Sequence, residues 1–398
     1  MIPEGMRDVL PAEVAEVHAI EEVLRRRFAC FGYGEVRTPT VEFAEMLQRA
    51  GDDTLGAGLR LFDEQGRELM LRTDMTVPVA RLAATRFRDK PLPLRFCYVA
   101  DSFRPLAVRR GQHGEFSQAG AELLGLGTEA TDAEIVTLLC DVLAASGLPE
   151  FRVSLGTTAF HTALVASLQL TPADAEATLE ALAERDYPLL ETIVANAGLG
   201  DDARRALEKS LEQAGGRESL TQARRLATTS GMEAALDHLQ AVRDLVSESG
   251  FGDRLIFDLG LHQDLRYYGG LVFEAYAPGV GLPIASGGRY DGLMARFDWQ
   301  IPAVGCAIGL DRLHEALVEA GVSLAEELPL AFAGGLEEPE RAAELRRAGI
   351  AVAALPAGKQ SLSPPSLERG EGQYHLELAD GRDVRGSWHQ VLRALGVS

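Results

Sequence analysis

Apolar residues at Val17, Ile20, Leu24 and Phe28 recur at helical spacing, which predicts an amphipathic helix over 12–31. Gly32-Tyr33-Gly34 stops that helix, and Glu35-Val36-Arg37-Thr38-Pro39 opens an extended segment. The runs LMLRTDMT (69–76) and LRFCYVADSFR (94–104) read as strands ending in polar residues. A helix is expected over 132–146, with Ile135, Leu138, Leu139 and Val142 on one face, and a strand over 151–156. From about 158 to 248 the chain turns rich in Ala, Leu and Glu, interrupted at Pro172, Gly198-Leu199-Gly200 and Gly215-Gly216, and reads as an all-helical insertion. Strands resume at 254–259 and 270–277, and a Gly-rich stretch leads to a helix starting near 310. In the tail, PLAFAGG and IAVAAL read as strands around a helix at 338–348, WHQVLRAL as a closing helix, and the Ser/Pro/Gly-rich segment 359–373 as a loop. Long strands flanked by helices, without regular βαβ alternation, predict an antiparallel α+β core.

Composition narrows the class. The chain has 398 residues, enough for two or three domains of about 100–200 residues each. Its 46% hydrophobic and 25% charged content is that of a globular protein with a real core. No run reaches the roughly 20 apolar residues that span a bilayer, and MIPEGMRDVLP has no apolar signal core. A cytoplasmic protein with no membrane partner is therefore expected. Cys30, Cys97, Cys140 and Cys306 are too scattered to form a paired metal-ligand motif, and read as buried free thiols with no metal. The net charge of −20 argues against a tRNA partner, because neutralising phosphates supplies most nucleic-acid affinity. Residues 328–398 hold eight Lys/Arg against nine Asp/Glu, which gives no basic surface for an anticodon stem.

Four separated segments carry a resemblance. They are Gly32-Tyr33-Gly34 through Glu42; Leu71-Arg72-Thr73-Asp74-Met75-Thr76; the stretch FRPLAVRRGQHGEFSQAGAELLG at 103–125; and the pair DLRYYGGLVFE (264–274) and SGGRYDGL…PAVGCAIGLDRL (286–313). Together, in this order, they resemble histidyl-tRNA synthetase, a class II aminoacyl-tRNA synthetase. The resemblance covers roughly residues 1–157 and 250–320. It implies a class II-like antiparallel sheet flanked by helices in a core domain over 1–325, with the helical insertion at about 158–248. A small α/β domain then occupies 326–398.

Amino-acid activation in that family develops charge on a phosphate, so its chemistry is electrostatic clamping and positioning. Arginine suits the task because its planar fork holds two oxygens. Arg104 matches the phosphate-clamping position and Arg312 the third-motif position, together a remnant nucleotide site. Other clamps are missing. The family's GRYREF is Gly111-Gln112-His113-Gly114-Glu115-Phe116 here, the hairpin Glu that reads adenine is Leu106, and the arginine of RGLDYY is Gln263. A charged hydrogen bond is worth roughly 1.5–3 kcal/mol. Three lost contacts would slow activation by about three to six orders of magnitude. Arg109, Arg110 and Arg266 are the nearby cations able to compensate in part.

The amino-acid pocket is better kept. Thr76, Gln118, Glu122, Tyr267 and Tyr268 match directly, and Asp74 replaces a Glu while keeping the carboxylate. Acidic groups accept from an α-ammonium and an imidazole N–H, Gln118 adds a neutral partner, and the tyrosines supply apolar walls with polar tips. Singly, each has a plainer reading: Arg104 as an exposed strand-end arginine, Gln118 and Glu122 as solvated sheet positions, the tyrosines as packing. Their combined spacing favours a histidine-binding pocket.

LRTDMTVPVAR (71–81) and EFSQAGAELLG (115–125) look more like the regulatory subunits of ATP phosphoribosyltransferase, a paralogous family, than like active synthetases. That resemblance implies a chain with no catalysis and no cofactor of its own. Its partner would be a short-form ATP phosphoribosyltransferase catalytic subunit, in the first step of histidine biosynthesis, with histidine as inhibitory effector. The first-motif segment implies a homodimer core within a hetero-oligomer. An active histidyl-tRNA synthetase and a stand-alone histidine-binding module remain the alternatives.

Overall fold

The computed structural model describes residues 2–3, 5–50, 58–104, 114–212, 214–215, 217–261, 268–322, 330–357, 365–370, 373–379 and 381–397. The chain divides into two compact units, 1–324 and 325–398. Among the described residues no helix is long and apolar enough to cross a membrane.

The first unit opens with α1 (Pro11–Cys30). Pro11 fits the first turn, where its missing N–H costs nothing, and Glu13 and Arg27 complement the helix dipole at either end. Ile20, Leu24 and Phe28 form its fully buried stripe, while Val17 is half-buried. Gly32, at φ +82°, supplies the left-handed residue that releases the chain. After β1 (Gly34–Glu35) come β2 (Val41–Phe43), α2 (Ala44–Arg49), β3 (Arg60–Phe62) and β4 (Glu68–Leu71). The strand expected over 69–76 thus ends at Leu71. Asp74 Oδ1 accepts from Val77 N at 3.1 Å, and the apolar run beyond it winds into α3 (Thr76–Arg86), burying Val77, Val79, Ala80, Ala83 and Ala84. A short acidic side chain that bonds the backbone three residues on favours a turn over a continued strand at that point.

The main sheet follows: β5 (Leu94–Phe103), β6 (Glu115–Leu124), α4 (Glu129–Ala145) and β7 (Arg152–Thr157). Helix α4 starts on a reciprocal Thr128–Thr131 cap and buries all four residues expected on its inner face. After β7 come α5 (Thr158–Ser167), α6 (Pro172–Glu184), α7 (Tyr187–Asn196), α8 (Asp201–Leu211), β8 (Ala214–Gly215), α9 (Arg217–Leu226) and α10 (Ser230–Glu248). The interruption expected at Pro172 falls between α5 and α6, where Pro172 is the first residue of α6. Strand β8 corrects the all-helical reading: it pairs antiparallel with β9 (Leu255–Asp258) and closes one edge of the sheet. Helix α10 packs on α4 and α5 and buries Met232, Leu236, Leu239, Val242 and Val246 in the main core.

Strand β10 (Leu271–Tyr276), β11 (Ala285–Arg289), α11 (Asp291–Arg296), β12 (Ala303–Gly309) and α12 (Leu310–Glu319) complete the unit. The sheet order is β1-β5-β6-β12-β11-β10-β7-β9-β8, antiparallel except at β1/β5 and β7/β9. Alternation sorts its faces. Cys97, Ala119, Ala121, Leu123, Phe273, Leu155 and Ile308 join α1, α4 and α10 in one core, while the neighbouring positions point to the other face. Cys97, Cys140 and Cys306 are buried free thiols, but Cys30, at the end of α1, is exposed, which corrects the expectation for that residue.

The second unit has β13 (Leu330–Ala333), α13 (Pro339–Arg347), β14 (Val352–Leu355), β15 (Ser366–Gly370), β16 (Gln373–Glu377), β17 (Asp383–Gly386) and α14 (Trp388–Ala394). Its sheet order is β14-β13-β15-β16-β17. The loop expected over 359–373 is a strand from Ser366, since Leu367 is buried where β15 pairs with both β13 and β16; residues 358–364 lie outside the described residues.

Candidate amino-acid site

Two rows of residues cross the face of the main sheet opposite the α4 core. One runs Phe96–Glu122–Gly305–Gly288–Val272 and the next Tyr98–Gly120–Ala307–Ser286–Glu274. Glycines make this floor. A Cβ on Gly305 would fall on the Glu122 carboxylate, one on Gly120 would meet the Tyr98 hydroxyl, and one on Gly288 would lie 2.7 Å from the Tyr268 ring. Side chains from neighbouring strands therefore lie flat across the sheet and converge.

Glu122 is the centre of that convergence, with 1% of its surface exposed. The Tyr290 hydroxyl donates to its Oε2, the Tyr98 hydroxyl approaches its Oε1 at 3.5 Å, and the Thr76 hydroxyl also hydrogen-bonds it. Phe96, Tyr98, Leu124, Met75 and Tyr290 belong to a second apolar cluster, with Tyr268 packed against it. Burial among them pushes the Glu122 carboxyl up to about 8; the hydroxyl donors oppose that shift and the Asp74 charge adds to it. The phenols of Tyr98 and Tyr268 are likewise driven upward, first by burial and then by the Glu122 charge.

The structure thus brings Asp74, Thr76, Glu122 and Tyr268 together. Asp74 stands in the turn that starts α3, its carboxylate acting on Glu122, Tyr98 and Tyr268. Gln118 is on the same face of β6, 7% exposed, its Oε1 accepting from Ser102 Oγ at 3.2 Å. Tyr267, Gln263, Arg266, Leu106, Arg109, Arg110 and Gly111 to His113 lie outside the described residues. Tyr98 and Tyr290 complete the shell around Glu122 and were not singled out from the sequence. Tyr98 alternates in phase with Phe96 in one strand, and Tyr290 stands within the quoted SGGRYDGL, but only cross-strand register reveals a shared carboxylate.

Beside this cluster, Arg104 stacks its guanidinium 4.8 Å over the Phe116 ring. Its backbone N donates to Gly114 O at 2.7 Å. Arg312 donates to Pro283 O at 2.7 Å; burial and then the Arg104 charge lower its affinity for its proton, against Asp311, Glu315 and Glu274. The two cations are thus near enough to repel. Arg72 is turned inward, donating to the carbonyls of Asp101 (2.6 Å) and Thr38 (3.0 Å), and so braces strands.

The sequence profile of the histidyl-tRNA synthetase family matches residues 5–313. A protein of Moorella thermoacetica named ATP phosphoribosyltransferase regulatory subunit is 41% identical over 362 residues, covering 88% of this chain and 91% of that relative. The chain belongs to this histidyl-tRNA synthetase-like family of regulatory subunits. A relative of the same name from Symbiobacterium thermophilum is 39% identical over 360 residues, 88% of this chain and 90% of its own. Among solved structures, an ATP phosphoribosyltransferase regulatory subunit/histidyl-tRNA synthetase from Bacillus halodurans C aligns with a TM-score of 0.79 at 31% identity, over 91% of this chain and 94% of that one. Histidyl-tRNA synthetase from Nostoc sp. PCC 7120 gives 0.79 at 20% identity, over 100% and 98% of the two chains. The α+β class II synthetase-like fold expected from the sequence is therefore the fold of this regulatory-subunit family member.

Proposed function

We propose that this chain is the non-catalytic regulatory subunit of ATP phosphoribosyltransferase in the first step of histidine biosynthesis. It enables a short-form catalytic subunit and carries feedback inhibition by histidine from the Asp74–Glu122 site. The observation that carries this reading is a contrast between neighbouring sites. The buried carboxylate, its three hydroxyl partners and its glycine floor are intact, while the Gly111–Phe116 segment lacks the arginines that phosphate transfer requires. The names of the relatives support the same assignment.

Feedback in such an assembly is linkage: histidine changes the partner's activity by binding the active and inhibited assemblies with different affinity. The test is reconstitution. The purified chain is expected to show neither histidine-dependent pyrophosphate exchange nor tRNA charging, to raise the activity of a short-form phosphoribosyltransferase, and to make it histidine-sensitive. Exchange at synthetase-like rates would instead identify an active histidyl-tRNA synthetase working through the adjacent Arg104 and Arg312. Histidine binding without any effect on the phosphoribosyltransferase would leave a stand-alone module.

A further inference from the structure

Tyr290, whose hydroxyl donates to Glu122, directly follows Arg289 at the end of β11. The Arg289 guanidinium goes to the α4 side of the sheet, where Asp132 is fully buried. Its Nη2 donates to Asp132 Oδ1 and its Nε to Asp132 Oδ2 at 3.3 Å, so both carboxylate oxygens are gripped. Its Nη1 donates to Asp291 Oδ1 at 3.1 Å. That oxygen also accepts from Ala303 N at 2.8 Å, and Tyr290 N donates to Ala303 O at 2.8 Å. Both sequence neighbours of Tyr290 are thus held in one net. Helix α10 adds a further member: His238 Nε2 donates to Asp132 Oδ2 at 2.7 Å. A buried ion pair contributes little stability beyond what apolar packing in its place would give. What a planar fork on a carboxylate supplies is direction.

We infer that Asp132 and His238 are positioning residues for the amino-acid site: they anchor Arg289, and Arg289 aims Tyr290 so that its hydroxyl orients the Glu122 carboxylate. The contacts are continuous. Side chains join His238 to Asp132 and Asp132 to Arg289, the peptide joins Arg289 to Tyr290, and the hydroxyl joins Tyr290 to Glu122. Orientation matters at the last link, because a hydrogen bond from a ligand to that carboxylate weakens steeply as its angle drifts. The helical insertion thereby takes a share in the site through one side chain of α10. This inference deepens the reading of the cluster as an amino-acid site and rests on it.

L-histidine, titrated calorimetrically into the full chain, is the probe. Asp132→Asn and Tyr290→Phe are each expected to weaken binding about tenfold. The two together should bind no more weakly than Tyr290→Phe alone, because the anchor then has no hydroxyl to aim. His238→Leu should weaken binding by a smaller factor, and His238→Gln, whose amide can still donate to Asp132, should restore it. If Asp132→Asn fails to fold, His238→Leu leaves the Arg289–Asp132 pair in place and carries the same cycle with Tyr290→Phe. Losses that simply multiply in the double variant would mean a general loosening and overturn the positioning role. Unchanged affinity in folded Asp132→Asn, or in His238→Leu where that takes its place, would overturn it too and leave the amino-acid site standing. No binding heat from the wild type overturns both.

Discussion

At the scale of single residues, the site depends on an atom that is missing. Glu122 can lie across β12 only because Gly305 has no Cβ, and the added carbon of Gly305→Ala would occupy the carboxylate's place. The carboxylate would have to leave its Tyr290 and Tyr98 partners. Overpacking of this kind costs about 1–3 kcal/mol of stability. Losing a charged hydrogen bond to the ligand costs roughly another 1.5–3 kcal/mol. Titration calorimetry on the folded variant is expected to give L-histidine affinity about tenfold to a hundredfold weaker. Wild-type affinity would mean that Glu122 does not touch the ligand. That Asp74, Thr76, Glu122 and Tyr268 stand near one another was legible in the sequence because each belongs to a motif with a fixed neighbourhood. Tyr98, Tyr290 and the role of Gly305 were not: their convergence follows from the offset between β5, β6, β11 and β12, and no periodicity within one strand encodes that offset.

At the scale of elements, α5 carries a buried liability. His161 is 5% exposed, its Nε2 has no hydrogen-bond partner among the described residues, and it packs edge-on against Phe160. Burial alone pulls its pKa down to about 4, so the folded chain keeps it neutral. The unfolded chain takes up a proton near 6.5. Between those values the unfolded state binds more protons, so stability falls as pH drops through the window. The depressed pKa is worth about 3 kcal/mol by pH 4. In urea titrations from pH 7 to 4.5, His161→Leu should lose less stability than wild type, by an amount that grows as pH falls; parallel curves would show that His161 already finds a partner. Helices such as α1, α4 and α10 were readable because a buried stripe of period 3.6 survives any tertiary context. Strands β8 and β15 were not, since their pairing comes from distant partners: β8 on β9, and β15 between β13 and β16.

At the scale of the whole molecule, one face of a small sheet in the first unit carries exposed apolar side chains, with the Arg67 guanidinium 4.8 Å over the Phe43 ring. In the β2-β4-β3 sheet, Phe43, Leu69 and Leu61 align in one row and Val41 and Leu71 in the next, while Glu42 and Met70 turn inward. Val41, Phe43 and Leu61 are 36%, 45% and 43% exposed. Exposed apolar side chains grouped on one sheet face are the kind of surface that association covers. Strand β2 also ends the first-motif segment, whose resemblance implied a homodimer, so the occupant we propose is the same face of a second copy, packed about a two-fold axis. Each copy carries −20, so pairing works against like charge, and screening by salt should tighten it while apolar burial supplies the attraction. Sedimentation of the wild type is expected to show a dimer whose dissociation constant falls as salt rises from low ionic strength. Phe43→Glu combined with Leu61→Glu should give a folded monomer, because both side chains already stand in solvent within one copy. A wild type that sediments as a monomer at all salt concentrations, or a double variant that still dimerises, would place the homodimer contact elsewhere or remove it.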